Sequence, residues 1–523
     1  MNWPHWIVVP VVLPLIAGAI CLLLEQRRPH LARALSIGTT AFLLGVALYL
    51  AGVAAAGTVH SYLLGNWKAP FGIALALDRL SALMLVLTAV VAVASVLYAW
   101  GGGARGEHDA QGPHYHALFQ FQLMGLNGAF LTADLFNLFV FFEVLLIASY
   151  GLLLHGGGAS RLKAAIHYVG FNLTGSALFL IAVALLYGIT GTLNMADLAQ
   201  RVAVLGPEKA ALVRSAALLL IVVFGVKAAL LPLYFWLPDT YRAAAAPVAA
   251  LFAIMTKVGV YCVARVTTLI FGEGAGVAAD IADPWLAWLA IGTLALAALG
   301  TLAAVRLRTL VSYLVIASAG TLLLAIGLGS AATLGAALFY LVNSTLVAAA
   351  LFLLVDSIAS GRGETGDAMV PAPLAYRAAY GSLFFLFAME AAGLPPMGGF
   401  IGKALLLKAS AGLPLMAATW AALLVSGLGM MIAVARAGST VFWKAADANR
   451  MQTAAARPAL AERLAIGWLT LGMFGVVINA GGLTRYADAT SAQLLERRAY
   501  IDAVLGAQPA LPAWTPREGM KKP

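Results

Sequence analysis

The chain is expected to be an all-α integral membrane protein of about 14 transmembrane helices, built as two inverted-topology repeats that each contain one broken helix. Three observations lead there. Of 523 residues, 62% are apolar and only 10% are charged, against roughly 25% charged in a soluble domain. Fourteen stretches stay apolar for the length that a helix needs to cross a hydrocarbon core about 30 Å thick. Two of them are interrupted by proline and glycine in corresponding halves, the pattern from which inverted repeats are read. A mean hydropathy of +0.92 leaves too few charges to coat soluble domains, and apolar content this high is the opposite of what keeps a chain disordered.

The first segment, 6–24, is followed by charged residues 25–28 without a small-residue cleavage pattern, so it is expected to be a retained span and not a signal peptide. Segments 33–55 and 80–100 complete an N-terminal part, residues 1–115. Segments 116–133, 134–154, 164–189, 213–237 and 247–271 form the first repeat, 116–271, whose seventh helix is broken. Segments 285–305, 310–329, 332–358, 381–412 and 417–438 form the second, 284–440, whose twelfth helix is broken. A loop, a last span at 464–480 and a tail fill 441–523.

The net charge of +10 does not point to nucleic acid, because no basic cluster stands beside stacking aromatics. It reads as topology charge. With the N-terminus outside, inward loops hold Arg27, Arg28, Arg33, Arg105, Arg161, Lys163, Arg242, Arg306, Arg308, Arg362, Arg377, Arg436, Lys444, Arg450, Arg457 and Arg463. Outward loops then hold Lys68, Arg79, Arg201, Lys209, Arg214 and Arg265, and the imbalance favours that orientation; Arg497, Arg498, Lys521 and Lys522 in the tail work against it. Cys21 and Cys262 lie inside apolar runs and make neither a disulfide framework nor a metal cluster. The His114-Tyr115-His116 group is read as a surface feature and not as a metal site.

Proline removes a backbone donor, so each break frees polar groups at membrane depth that protein, water or an ion must satisfy. A pair of ordinary proline kinks is the plainer alternative, and charge beside the break separates the two. Lys227 precedes Pro232, and Lys403 follows Gly393-Leu394-Pro395-Pro396-Met397-Gly398-Gly399 within two turns. Lys257 is a third amine in an apolar span. A lysine at mid-bilayer costs about 2.5–3.5 kcal/mol, so each is expected to face a cavity or a partner; snorkelling to an interface is the bland reading.

Acids are scarcer. Glu143, among Phe141, Phe142, Val144 and Leu145, needs a cationic partner or a proton. Glu390, three residues before Gly393, reads as a counter-charge for Lys403 or as a water-facing group. Asp134 stands at a helix start, where capping is the favoured reading over proton carriage. Asp78 and Asp239, at span edges, are given structural roles. A carboxylate beside buried amines lets the same lysine hold or release a proton according to its partner. All eight histidines occur by His167, so the second half must relay protons without imidazole.

These motifs resemble a known family. Phe142-Glu143, the run Gly225-Val226-Lys227-Ala228-Ala229-Leu230-Leu231-Pro232, Thr256-Lys257-Val258-Gly259 and Gly393-Leu394-Pro395-Pro396 with Gly402-Lys403 are similar to those of the antiporter-like subunits shared by Mrp-type cation/proton antiporters and the proton-pumping arm of respiratory complex I. Residues 436–443 and 340–347 look most like the D-type branch of the Mrp group. The resemblance implies that Glu143 and Lys227 form an ion pair that tunes the amine, that Lys257 is a central relay and that Lys403 is the terminal proton site. It departs at Asn343, where histidine is usual, at Ala348 or its neighbours, where lysine often stands, and at Glu390, normally an apolar residue. Water, Ser344 or Ser318 would bridge Lys257 to Lys403, and Glu390 would tune the last amine without carrying the proton.

The implied function is exchange of cytoplasmic Na⁺ or K⁺ for protons by a bacterial inner-membrane hetero-oligomer, with no cofactor and no enzymatic activity of its own. A proton-pumping subunit of a redox complex is the alternative. A lipid-linked transferase is disfavoured, because the longest loop, 196–212, holds only Asp197 and Glu208 as acids.

Overall fold

The computed structural model describes residues 3–101, 108–444 and 458–508. Arg105, Arg450, Arg457, Lys521 and Lys522, which enter the topology count, lie outside the described residues. Chain order is α1 (Val9–Leu24), α2 (Pro29–Ala54), the strands β1 (His60–Leu63) and β2 (Ala74–Leu77), α3 (Arg79–Gly101), α4 (Tyr115–Leu131), α5 (Leu135–Leu154) and α6 (Ala159–Thr190). Next come α7 (Met195–Ala203), α8 (Ala210–Ala228), α9 (Trp236–Ala243), α10 (Ala246–Leu269), α11 (Asp283–Ala303), α12 (Leu307–Gly327) and α13 (Ala331–Gly361). The series ends with α14 (Arg377–Ala392), α15 (Gly398–Ala409), α16 (Met416–Gly438), α17 (Leu460–Ile478), α18 (Ala480–Leu495) and α19 (Arg497–Leu505).

The protein is an all-α membrane protein. Among the described residues, eleven helices are each long and apolar enough to cross a bilayer. The remaining three of the fourteen expected segments fall short as single helices. Two of them, α1 and α4, have 16 and 17 residues, and 381–412 is divided into α14 and α15 at the expected break. The segment 213–237 likewise divides into α8, a turn and the start of α9.

Local chemistry sets several boundaries. The Asp134 carboxylate accepts from the Asn137 N–H at 2.8 Å and caps α5, as expected. Ser330 caps α13 through the Thr333 N–H at 3.1 Å. Asn194 caps α7 by accepting from the N–H groups of Ala196 and Asp197. This helix occupies part of the expected loop 196–212; a cap followed by buried Leu198 and Val202 is the signal for it. The antiparallel β1–β2 hairpin is likewise absent from the sequence reading, as are α18 and α19 inside the expected tail. Of these, α18 is tied down by Tyr486, whose hydroxyl donates to the Arg79 carbonyl, and by Ser491, whose hydroxyl donates to the Ala331 carbonyl, and α19 by Arg497, which donates to the Ala199 carbonyl.

Arginines lace the two ends of the bundle. At one end Arg161 donates to the Ala243 carbonyl, Arg308 to the Ala244 carbonyl and Arg436 to the Ala304 carbonyl, and Arg306 pairs with Asp367. At the other, Arg214 donates to the Val277 carbonyl, Arg497 to the Ala199 carbonyl, and Arg265 pairs with Asp78 at 2.6 Å. Between them α10, α12 and α13 are almost wholly buried and form the central axis.

Candidate functional site

The first break follows Ala228. Ala229 sits in the left-handed region at φ 56°, a conformation that costs a non-glycine residue about 1–2 kcal/mol and ends the helix there. The freed groups find neutral partners: the Trp236 indole N–H donates to the Val226 carbonyl at 3.0 Å, and the Leu231 N–H donates to the Thr293 hydroxyl at 2.9 Å. In the last turn of α8, buried Lys227 donates to Asn172 Oδ1 at 2.8 Å and lies 5.6 Å from the Phe142 ring centroid.

The expected Glu143–Lys227 ion pair is not a contact. The pairs within 4.0 Å among the described residues do not include it, and Glu143 Oε1 is buried with no hydrogen-bond partner. The reason is layering: α6 packs against both α5 and α8, and its Asn172 takes the amine. A polar side chain in the middle of span 164–189 is the sequence signal for Asn172.

Lys257 is fully buried at the heart of α10 and donates to Ser318 Oγ of α12 at 2.5 Å; Ser318 in turn donates to the Val315 carbonyl. Neither contact involves a carboxylate. Gly259, two residues on, lets α10 meet α8, since a β-carbon there would stand 2.6 Å from the Ala228 nitrogen and 2.7 Å from the Phe224 carbonyl oxygen. Gly259→Val is therefore expected to force the two helices apart at Lys227, with a loss of about 1–3 kcal/mol measurable as a lower melting temperature of the purified protein. Unchanged melting would show that α8 yields.

At the second break Gly393 takes φ 79° and ends α14. Here titratable side chains satisfy the freed groups. Lys403 Nζ, buried, donates to the Ala392 carbonyl at 2.8 Å. Glu390 Oε2 accepts from the Gly399 N–H at 3.0 Å, at the start of α15, and from Asn343 Nδ2 of α13 at 3.1 Å. The spacing of about 20 Å between Glu390 and Lys403 that a continuous helix would give does not apply, because the chain turns at the break and both side chains bond to its backbone. No direct ion pair forms between them within 4.0 Å. The counter-charge reading of Glu390 does not hold, then: it is 3% exposed, and it is held by an amide and a helix N-terminus. The two glycines make this fit possible, since a β-carbon on Gly398 would stand 2.5 Å from Asn343 Oδ1 and one on Gly399 would run into the Glu390 carbonyl oxygen. Ser344 bonds within its own helix, to the Leu341 carbonyl at 3.3 Å. It lines, with Ser318, Asn343 and Glu390, a cavity of about 20 Å³.

Two other buried carboxylates, Asp78 and Asp356, are locked by arginine or histidine. Asp78 pairs with Arg265, and Asp356 accepts from Arg308, from His108 Nε2 at 3.0 Å and from the Tyr98 hydroxyl at 3.1 Å. The sequence reading misses the second group, whose members are far apart in the chain. Tyr115 and His116 are buried and not at the surface as expected, because the Glu25 carboxylate accepts from the His116 N–H at 2.9 Å and lies 3.3 Å from His114 Nδ1. Among the described residues no group of His, Cys, Asp and Glu is placed to hold a metal.

Residues 132–431, which hold all four expected relay residues and both breaks, match the model of the NADH:quinone oxidoreductase/Mrp antiporter transmembrane family. The chain is 42% identical to the D-type subunit of a probable K⁺/H⁺ antiporter of Rhizobium meliloti (strain 1021), over 97% of this chain and 98% of that one. It is 34% identical to the D-type subunit of a Na⁺/H⁺ antiporter of Bacillus subtilis (strain 168), over 96% and 99%. Its fold matches a chain of the Mrp complex from Dietzia sp. DQ12-45-1b with a TM-score of 0.83 at 25% identity, covering 97% of this chain and all of that one. With its broken helices, buried lysines and full-length likeness to these relatives, the chain belongs to the NADH:quinone oxidoreductase/Mrp antiporter transmembrane family.

Proposed function

We infer that this chain is the proton-translocating subunit of a multisubunit Na⁺(K⁺)/H⁺ antiporter, in which Glu143, Lys227, Lys257 and Lys403 relay protons. The observation that carries the reading is the set of three buried lysines, each bonded to a neutral oxygen of Asn172, Ser318 or Ala392 and none in contact with a carboxylate. An amine so held is free to give up its proton without breaking a salt bridge, whereas a carboxylate paired with arginine takes up a proton only by losing that pair. The names of the Rhizobium and Bacillus relatives support the same class.

The chain works within a hetero-oligomer in the bacterial inner membrane, its N-terminus outside. Laterally exposed Leu424, Val425 and Leu471 offer apolar faces to lipid or partner helices. The two-repeat reading is supported by the matching order of elements: α6 and α13, of 32 and 31 residues, each place an asparagine mid-helix beside a residue just before a break.

The test is the whole complex in proteoliposomes, followed by a pH-sensitive dye on addition of Na⁺, K⁺ or Li⁺. Glu143→Ala and Lys227→Ala are each expected to cut exchange about 10²-fold in complexes that still assemble, and the purified single chain is expected to show none. Normal exchange by an assembled Lys227→Ala complex would sink the relay.

A further inference from the structure

We propose that Glu390 is a proton-carrying residue between Lys257 and Lys403, held in place by Asn343, and not a remote tuner of Lys403. The proposal rests on the antiporter reading above and names a further residue in its pathway.

Three features single out Glu390. First, it is 3% exposed and its carboxylate is held by hydrogen bonds alone, from Asn343 Nδ2 and the Gly399 N–H. A helix N-terminus stabilises a carboxylate with only about half a unit charge, so it opposes protonation less than a full cationic partner does. The buried acids Asp78 and Asp356 differ, each held by an arginine that would lose its partner on protonation.

Second, Glu390 opens onto the cavity of about 20 Å³ that is shared with Ser318, Asn343 and Ser344. A water needs about 10–15 Å³ of such space and two or more polar partners. Both are present: the Ser318 hydroxyl that receives Lys257 lines one wall, and Asn343 Oδ1, buried with no partner of its own, belongs to another lining residue. The titratable residues lining the cavity are Glu390 and Tyr340; Lys257 borders it through Ser318, and Lys403 lies on the far side of the break.

Third, the site is the sign-reversed counterpart of the first break. There Asn172 of α6 holds Lys227, two residues before left-handed Ala229; here Asn343 of α13 holds Glu390, three residues before left-handed Gly393. The same scaffold thus offers an amine at one break and an acid at the other.

The step balances with protons alone. The Lys257 ammonium releases a proton through Ser318 and one water to a Glu390 carboxylate oxygen, leaving a neutral amine and a neutral acid. The acid then passes the proton through water at the break to the neutral amine of Lys403, whose acceptor, Ala392, is two residues from Glu390 along the chain. Only N–H and O–H bonds break and form.

Glu390→Gln keeps an oxygen to accept from Gly399 and Asn343 but cannot carry the proton. In the reconstituted complex it is expected to lower exchange about 20-fold or more across the whole pH range, while Glu390→Asp recovers a substantial part and assembly is unchanged. A tuning role would shift the pH optimum of Glu390→Gln and leave its maximal rate intact, which would overturn the proposal. Should Glu390→Gln not assemble, infrared difference spectra of the wild-type complex decide: a protonated-carboxyl band that grows on acidification and moves in Glu390→Asp is expected, and its absence overturns the assignment. Exchange that survives in Glu390→Gln but is lost in Lys257→Met refutes this inference alone; a wild-type complex without cation-dependent proton exchange refutes the antiporter reading beneath it.

Discussion

A complex carrying Lys257→Met is expected to assemble, to melt no lower than wild type and to lose cation/proton exchange by about 10²-fold or more. The two halves of that result have one cause. Lys257 meets neither bulk solvent nor a counter-charge: it is 0% accessible, on the most buried helix of the bundle, and its amine donates to a serine hydroxyl. Methionine fills nearly the same volume and removes a group whose burial costs about 2.5–3.5 kcal/mol at mid-membrane. A lysine at that cost makes sense only if its proton is used. Calorimetry on the purified complex and dye-monitored exchange in proteoliposomes measure the two effects on the same sample. A variant that transports normally would reduce Lys257 to a tolerated core residue and remove the middle of the proposed relay.

The second large effect concerns stability. Asp78 and Arg265 form a 2.6 Å pair, 2% and 5% exposed at their side chains, that joins the start of α3 to the end of α10. The Arg265 guanidinium also lies 5.1 Å from the Tyr500 ring, so the pair anchors α19 as well. Asp78→Asn leaves a buried guanidinium without its charge partner and is expected to cost about 3–5 kcal/mol. Replacing both partners, as Asp78→Leu with Arg265→Met, should recover most of that loss, since an apolar pair avoids the desolvation of two ions. Burial pushes the Asp78 carboxyl up, but the adjacent guanidinium and the Ser81 hydrogen bonds outweigh it and hold the group below its ordinary value. Its contribution is therefore present above the unfolded carboxylate's titration and is lost as the pH falls through the lowered one, so the gap between wild type and Asp78→Asn should close in acid. Equal melting of single and double variants at neutral pH would contradict this account.

How far the site is legible follows from what each feature depends on. Membrane residence, the approximate spans and both breaks are readable because they arise from local composition: an apolar run of sufficient length has to be a helix in lipid, and Pro232 and Gly393-Leu394-Pro395-Pro396 interrupt it wherever they stand. Lys227, Lys257 and Lys403 are readable for the same reason, as charges inside such runs. Their partners are not. Lys227 bonds Asn172 from 55 residues away and not Glu143, Lys257 bonds Ser318 across 61 residues, and Asn343 reaches Glu390 across 47. Each pairing depends on which helix faces lie together, and these helices are apolar nearly all round, so their own periodicity does not say which face turns inward. The turn at the second break belongs to the same class: Glu390 and Lys403 stand thirteen residues apart in sequence, and only the direction of α15 brings both to one set of freed backbone groups. The sequence by itself determined that protonatable groups lie within the membrane beside two unwound helices. Tertiary packing decided which neutral oxygens and helix ends receive them, because hydrogen bonds about three ångströms long are set by helix contacts that no local window contains.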